Sequence, residues 1–447
     1  MQNQSEADLV RGIRRWDLVA ITINGIIGAG IFGLPSKVYS LIGTYSLIAF
    51  VACALVVALI ILCFAEVSSR FDETGGPYLY AREAFQPAVA FEIGWLTWLV
   101  RVTAFAANCN LLINYLSFFW VSATTPFWRA TIIVFVVVVL AAINLLGIRQ
   151  AAIVSNVFTV GKLVPIILFV AAGLFFVSPS SYVLGPAPAT GAFSQSVLLL
   201  VYAFTGFEMA TIPAGEIRNP QKSLPRALLI AIVVVAILYI MIQVVCVGTL
   251  PGLAQSQKPL ADAGSQFLGA AGGAIISVGA IISITGNLNI LLLSGSRLTF
   301  AMSEQKQLPA FVGTIHRQFS TPWVSILITA GIMMFLTLKS SFVAALTISA
   351  IARLVTYGAT CLALPVFRAR SDAPRAMFRL RGGTILAILS LLLIVWLLLN
   401  STPAERKVTA IAGAVGLAIY AAYWIYSRSL PNSTERGSAG SNVTKDA

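Results

Sequence analysis

Apolar positions along the chain are gathered into long blocks with short polar connections between them. A helix needs about 20 apolar residues to cross a bilayer, and about twelve blocks meet that need. They cover 16–38, 44–68, 91–121, 129–147, 156–178, 194–216, 226–250, 271–302, 322–338, 342–367, 383–400 and 406–427. The pattern predicts an all-α polytopic membrane protein of about twelve transmembrane helices. No separate soluble domain fits between the blocks. Residues 1–15 read as a cytoplasmic N-terminal tail and 428–447 as a disordered cytoplasmic tail. The first block follows Arg11, Arg14 and Arg15, as a signal peptide would, but the blocks after it make it one member of a bundle.

Composition narrows the class. Apolar residues make up 58% of the 447 and charged residues 10%, against about 25% charged in soluble proteins. A soluble fold could not hide so much apolar surface, and a disordered chain would not carry it. The five cysteines, Cys53, Cys63, Cys109, Cys246 and Cys361, all lie in apolar blocks with no CxxC pair. They read as small buried side chains, not as a disulfide scaffold. His316 is the single histidine, so a His-rich metal site is excluded. No metal or cofactor is expected.

The net charge of +13 reflects topology and not nucleic-acid binding. With the N-terminus inside, most of the 29 basic residues fall on that side, among them Arg70, Arg82, Arg149, Arg218, Lys222 and Arg368. An even number of crossings places both termini in the cytoplasm, so the sequons at Asn432 and Asn442 should stay unglycosylated. Short loops and tails favour a bacterial inner membrane. Arg101, Lys162 and Arg353 fall within blocks; the two arginines need partners, and Lys162, about six residues into its block, is either a functional group or a residue snorkelling to the cytoplasmic interface. Glu66 and Glu92 fall near cytoplasmic block ends, where an interfacial position is expected.

Two blocks are interrupted. The first carries Gly25, Gly28, Gly30, Gly33 and Pro35 in close succession, and each interior glycine costs a helix about 1 kcal/mol relative to alanine. An unwound segment near Gly28-Ala29-Gly30 follows, or else close helix packing through small residues. Amides freed there, helped by a half-helix N-terminus, can hold an anion. The sixth block breaks at Thr205-Gly206-Phe207-Glu208, with Pro213 beyond. A lone carboxylate at mid-span costs roughly 2.5–3.5 kcal/mol on insertion scales. Glu208 is therefore either a cap on the second half-helix or a functional group: a titrating gate or a contact for a substrate amine. Matching interruptions that open two five-helix sets point to an inverted-repeat transporter with its site at the midplane.

At these residues the chain resembles the amino acid–polyamine–organocation (APC) superfamily of permeases. Asn24-Gly-Ile-Ile-Gly-Ala-Gly-Ile-Phe-Gly-Leu-Pro35 resembles its first-helix signature. Ala203-Phe-Thr-Gly-Phe-Glu208, then Glu216-Ile-Arg-Asn-Pro220 and Leu224-Pro-Arg226, resembles its sixth helix and the following loop. Gly75-Gly-Pro-Tyr-Leu-Tyr80, and Ser296-Arg-Leu-Thr-Phe-Ala-Met302 with Leu308-Pro309 and Thr321-Pro322, resemble two further loops in the right order.

The resemblance implies a leucine-transporter-like fold. A first five-helix repeat would span 16–178, a second, inverted one 194–367, and two peripheral helices 383–427. It implies alternating access and an amino acid or amine substrate. Amides of Gly28, Ala29 and Gly30 would bind the substrate carboxylate, and carbonyls of Ile26, Phe204 and Thr205 its ammonium, with Gly206 at the break. Asn108, Thr205 and Phe207 are expected near the R group. Phe204, Phe207 and Ile290 would form an apolar pocket, which favours neutral or aliphatic amino acids over cationic ones or polyamines. Lys162 would stand where relatives hold sodium, bracing the first helix against the eighth, because a compact ammonium can replace a monovalent cation among carbonyls. Transport would then be sodium-independent, with Lys162 and Glu208 as the coupling residues. Proton symport and amino acid exchange both fit, as do import and export.

Asn110, Asn114, Asn287 and Asn289 either line a cavity or join helices. Rival functions find little support. The chain has no HExxH, GxSxG or P-loop for an enzyme and no TVGYG-like filter for a channel. It also lacks the long cytoplasmic domain expected of a non-transporting receptor. The partners expected are thus a small amino acid and the bilayer, with protons if symport holds.

Overall fold

A computed structural model describes residues 13–73, 75–146, 162–212, 214–305 and 307–429, which form helices joined by turns and coil, with one isolated bridge between Ile13 and Ile217. The first block forms two short helices, α1 (Arg15–Ile26) and α2 (Gly30–Ile42), and α3 (Ser46–Ser68) follows. A short helix α4 (Gly76–Ala84) leads into α5 (Pro87–Leu116) and α6 (Pro126–Leu146). Next come α7 (Lys162–Phe176) and α8 (Thr190–Phe204), then a 3-10 turn at Phe207–Thr211. The chain continues through α9 (Pro220–Thr249), α10 (Pro259–Glu304), α11 (Trp323–Lys339), α12 (Phe342–Ala369), α13 (Gly383–Leu399) and α14 (Pro403–Ser429).

Each predicted block is helical over most of its described length, with the interruptions of the first and sixth at 27–29 and 205–206. The number of helices that can span a membrane on their own is smaller. Among the described residues seven are long and apolar enough, or eight if α13 and α14, bent by 114° at their junction, are one broken span. The difference has physical causes. The breaks leave α1 and α2 short, α11 has 17 residues, and α2 with α3 is nearly continuous from Gly30 to Ser68. The block predicted at 271–302 is the longer arm of α10, which bends at Gly269, a residue with φ +64°. The start of the fifth block, Arg149, both sequons, Pro213 and the tails at 1–12 and 430–447 lie outside the described residues.

Residues of α1, α2, α5, α8, α10 and α12 converge on one cavity, and α1 packs mainly on α9. Helix α5 lies against α10 and α12, α3 against α8 and α9, and α13 and α14 sit on the periphery against α12 and α5. Outward faces carry bare apolar side chains, such as Phe135, Val138, Ile385 and Leu392. A surface of this kind is stable only where lipid and not water is the solvent. The protein is an integral membrane protein.

Candidate functional site

The site begins where two helices stop in mid-bundle. Helix α1 ends at Ile26, and Ile27, Gly28 and Ala29 are not helical before α2 starts at Gly30. The Gly28 amide donates to the Ile26 carbonyl at 2.8 Å. The amides of Ala29 and Gly30 head α2, where first-turn N–H groups have no intrahelical acceptor. Helix α8 ends at Phe204, Thr205 is extended, and Gly206 takes φ +113°, a value open mainly to glycine.

The two breaks touch backbone to backbone. A Cβ on Gly25 would lie 2.8 Å from the Gly206 carbonyl oxygen, and one on Gly206 would overlap the Gly25 carbonyl. A Cβ on Gly30 would lie 2.7 Å from Ala203 Cα. Unwinding and close packing, the two readings of these glycines, are therefore both present.

Beside the breaks lies a cavity of about 590 Å³. It runs from Asp17, Ala20 and Ile21, exposed on α1, to Gly28, Ala29 and Gly30. Beyond the break the path is closed. Ile31 and Phe32 are fully buried, and the Tyr115 hydroxyl donates to the Phe32 carbonyl at 2.6 Å. Polar walls come from Asn24, Tyr202, Ser283 and Asn287. The side-chain oxygens of Asn24 and Ser283 are buried and have no hydrogen-bond partner among the described residues. Asn287 donates to Asn108 at 2.9 Å, and Asn108 donates to the Tyr202 hydroxyl at 2.6 Å.

Lys162, on α7, reaches across to the end of α1. Its ammonium donates to the Asn24 carbonyl at 2.7 Å and to the Ile27 carbonyl at 2.6 Å. A helix C-terminus leaves such carbonyls free and presents them to a cation. The contact to the first helix is therefore present. Among the described residues no bond joins Lys162 to α10, which corresponds to the eighth block.

Glu208 sits in a dense ionic knot. Arg353 Nη1, from α12, lies 2.9 Å from its Oε1, and Arg101 Nη1, from α5, lies 3.5 Å from the same oxygen. The Tyr357 hydroxyl donates to Oε2 at 2.6 Å, and the Gly206 amide donates to it at 2.9 Å. The carboxylate thus caps the break and also answers the two buried arginines that the sequence left unpaired. Its placement behind them removes it from the cavity. Glu208 instead borders a second cavity of about 370 Å³, on the far side of the knot, and both arginines border both cavities.

Of the residues expected at the site, Ile26, Gly28, Ala29, Gly30, Lys162, Thr205, Gly206 and Ile290 line the larger cavity. Asn108 stands one hydrogen bond behind the wall. Phe204 and Phe207 are fully buried and turned away, Phe204 packing on Phe50 and Tyr239 and Phe207 on Phe64 and Tyr357. The apolar R-group pocket expected of them is thus reduced to Ile290. The Ile26 carbonyl is already engaged by the Gly28 amide and, at 3.1 Å, by the Tyr239 hydroxyl.

Several groups at the site carried no recognisable signal. Tyr202, Ser283 and Met209 look like ordinary span residues in the sequence. Arg101 and Arg353 were conspicuous as charges, but nothing local tied them to this cavity. Asn289 joins helices by accepting from Asn144 at 2.9 Å, and Asn110 accepts from Arg129 at 2.7 Å. Glu66, expected to be interfacial, is fully buried between Arg368 and Arg70, at 2.6 and 3.3 Å.

Comparison with known proteins agrees with this geometry. A family model described as amino acid permease matches residues 13–422. Among curated proteins of Bacillus subtilis (strain 168), a methylthioribose transporter is 28% identical over 96% of this chain and 95% of its own length. The serine/threonine exchanger SteT is 29% identical over 72% of this chain and 75% of its own. The branched-chain amino acid permease BcaP is 27% identical over 95% and 94%.

Proposed function

Since the chain belongs to the amino acid permease family of the APC superfamily, we propose that it is a secondary active carrier that moves amino acids by alternating access. Members of this family are transporters and not enzymes. The observation that carries the reading is the pair of breaks meeting at one cavity. Helix α2 offers the amides of Ala29 and Gly30, with the positive end of its dipole, to a carboxylate. Across the cavity, the carbonyls at the end of α8 and the unpartnered Asn24 oxygen offer acceptors to an ammonium. The Ile26 carbonyl and the Gly28 amide, each engaged by the other, drop out of this scheme.

The helices group into two halves, α1 to α7 and α8 to α12, each opened by an interrupted element. We read them as inverted five-helix repeats, with α13 and α14 peripheral. With the N-terminus in the cytoplasm, the cavity mouth at Asp17 and Ile21 faces inward, and the packing of Phe32 and Tyr115 closes the outer path. Lys162 supplies the cation that holds the end of α1, so transport needs no sodium. A cationic amino acid or polyamine is disfavoured, because Arg101, Lys162 and Arg353 all border the cavity and, among the described residues, its one acidic lining residue is Asp17, at the mouth. Exchange is favoured over symport by the likeness to a protein named as an exchanger.

The test is uptake into proteoliposomes. Saturable uptake of a labelled amino acid, accelerated by unlabelled amino acid inside and unaffected when choline replaces sodium, is expected. Non-saturating flux would identify a channel, and binding without flux a receptor.

A further inference from the structure

We propose that the favoured substrate has a second carboxylate, so that the carrier selects acidic amino acids and Arg101 receives their side chain. This rests on the amino acid site described above and deepens it. The argument is one of charge balance inside the bundle. Arg101 and Arg353 are 3% and 6% exposed and share the single carboxylate of Glu208. One positive charge is left over at a depth where an unbalanced charge is costly.

The two arginines are not equally committed. Arg353 makes the close contact, at 2.9 Å. Arg101 has one long contact, at 3.5 Å, and no other hydrogen bond from its side chain among the described residues. A guanidinium carries five donors in a planar fork that matches a carboxylate. Arg101 borders the same cavity as Ala29 and Gly30, so one ligand can meet the amides with its α-carboxylate and the fork with its side chain.

The other candidates for the surplus charge fit less well. The Lys162 ammonium is held by two carbonyls and faces no carboxylate. The apolar residues expected to greet an aliphatic R group, Phe204 and Phe207, do not reach the cavity. The free donors of Arg101 border the cavity, where a neutral substrate would leave them to water and a second carboxylate would answer them with charge. Inorganic chloride is the remaining source of negative charge, and the experiment separates it from a carboxylate.

The experiment reads thermal stabilisation of the purified full-length protein, since a ligand that binds only the folded state raises the melting temperature. L-glutamate, L-aspartate, L-leucine, L-serine and L-lysine are compared in chloride and in gluconate buffer. An acidic amino acid is expected to bind at least tenfold more tightly than leucine or serine, in either buffer. In R101Q the glutamate-to-leucine affinity ratio should fall roughly 100-fold, the loss of one or two charge-assisted hydrogen bonds. R101K should recover part of it, keeping the charge but not the fork.

R101Q leaves Arg353 paired one to one with Glu208, so it should fold, and R101K gives a second route if it does not. Leucine or serine binding as well as glutamate would overturn this proposal and leave the carrier reading standing. So would an R101Q ratio equal to wild type, or stabilisation by chloride to which glutamate adds nothing. No response to any amino acid would overturn both.

Discussion

At the scale of single residues, the site depends on contacts that tolerate no substitute atoms. Gly206 combines φ +113° with a neighbour, the Gly25 carbonyl, in the place a Cβ would take. Gly206→Ala should therefore destabilise the protein by about 3 kcal/mol or more. Gly43 pairs φ +56° with ψ −137°, also a glycine conformation, but has open space around it, so Gly43→Ala should cost less, about 1–2 kcal/mol of backbone strain alone. Denaturation of the two variants in detergent checks the contrast. Lys162→Met removes two bonds to the end of α1. It should cost about 3 kcal/mol, since bonds to a charged group are the stronger kind, and should abolish uptake in proteoliposomes. A variant that transports normally would show that the ammonium is not needed to hold α1.

At the scale of elements, the ends of α3 and α12 are tied by a buried ion pair. Glu66 accepts from Arg368 at 2.6 and 2.7 Å and from the Leu380 amide at 2.9 Å, while Arg70 stands 3.3 Å away. Glu66→Ala strands two arginines and should cost about 3–5 kcal/mol, whereas replacing Glu66, Arg70 and Arg368 together by leucine should cost much less. Thermal unfolding of both variants measures the difference. The same elements show what the sequence could reveal. The breaks were legible because glycine density in an apolar block opposes helix and is tolerated only for a reason. The helical character of the blocks was legible because lipid demands long apolar runs, whereas α10 begins at Pro259, well before the block predicted at 271, because its first arm is too polar to read as a span. The facing of Phe204 and Phe207 was not, because a helix that stops at Phe204 and resumes as a 3-10 turn abandons the 3.6-residue period by which a face is read. The partners of Glu208 were hidden for another reason. They lie on α5 and α12, more than 100 positions away in the chain, and only the tertiary fold brings them together.

At the scale of the whole molecule, the cavity has one mouth on α1 and a packed opposite side. All five native cysteines are buried, so a single introduced thiol can report access without background. Ile21→Cys, at the exposed mouth, should react with a membrane-impermeant maleimide in inside-out vesicles and stay unlabelled in right-side-out ones. Labelling from both sides would contradict the inward-facing assignment. The contact of Gly25 with Gly206 bears on how that mouth can shut. Two peptide planes resting on one another, with no side chain as cushion, cannot slide apart without opening a dry gap in the bundle. Helix α1 and the coil after α8 must then swing as one lever. A staple across that seam, tight enough to hold it but placed away from the ligand, would leave the hinge working, whereas a staple from either arm to α10 would stop it.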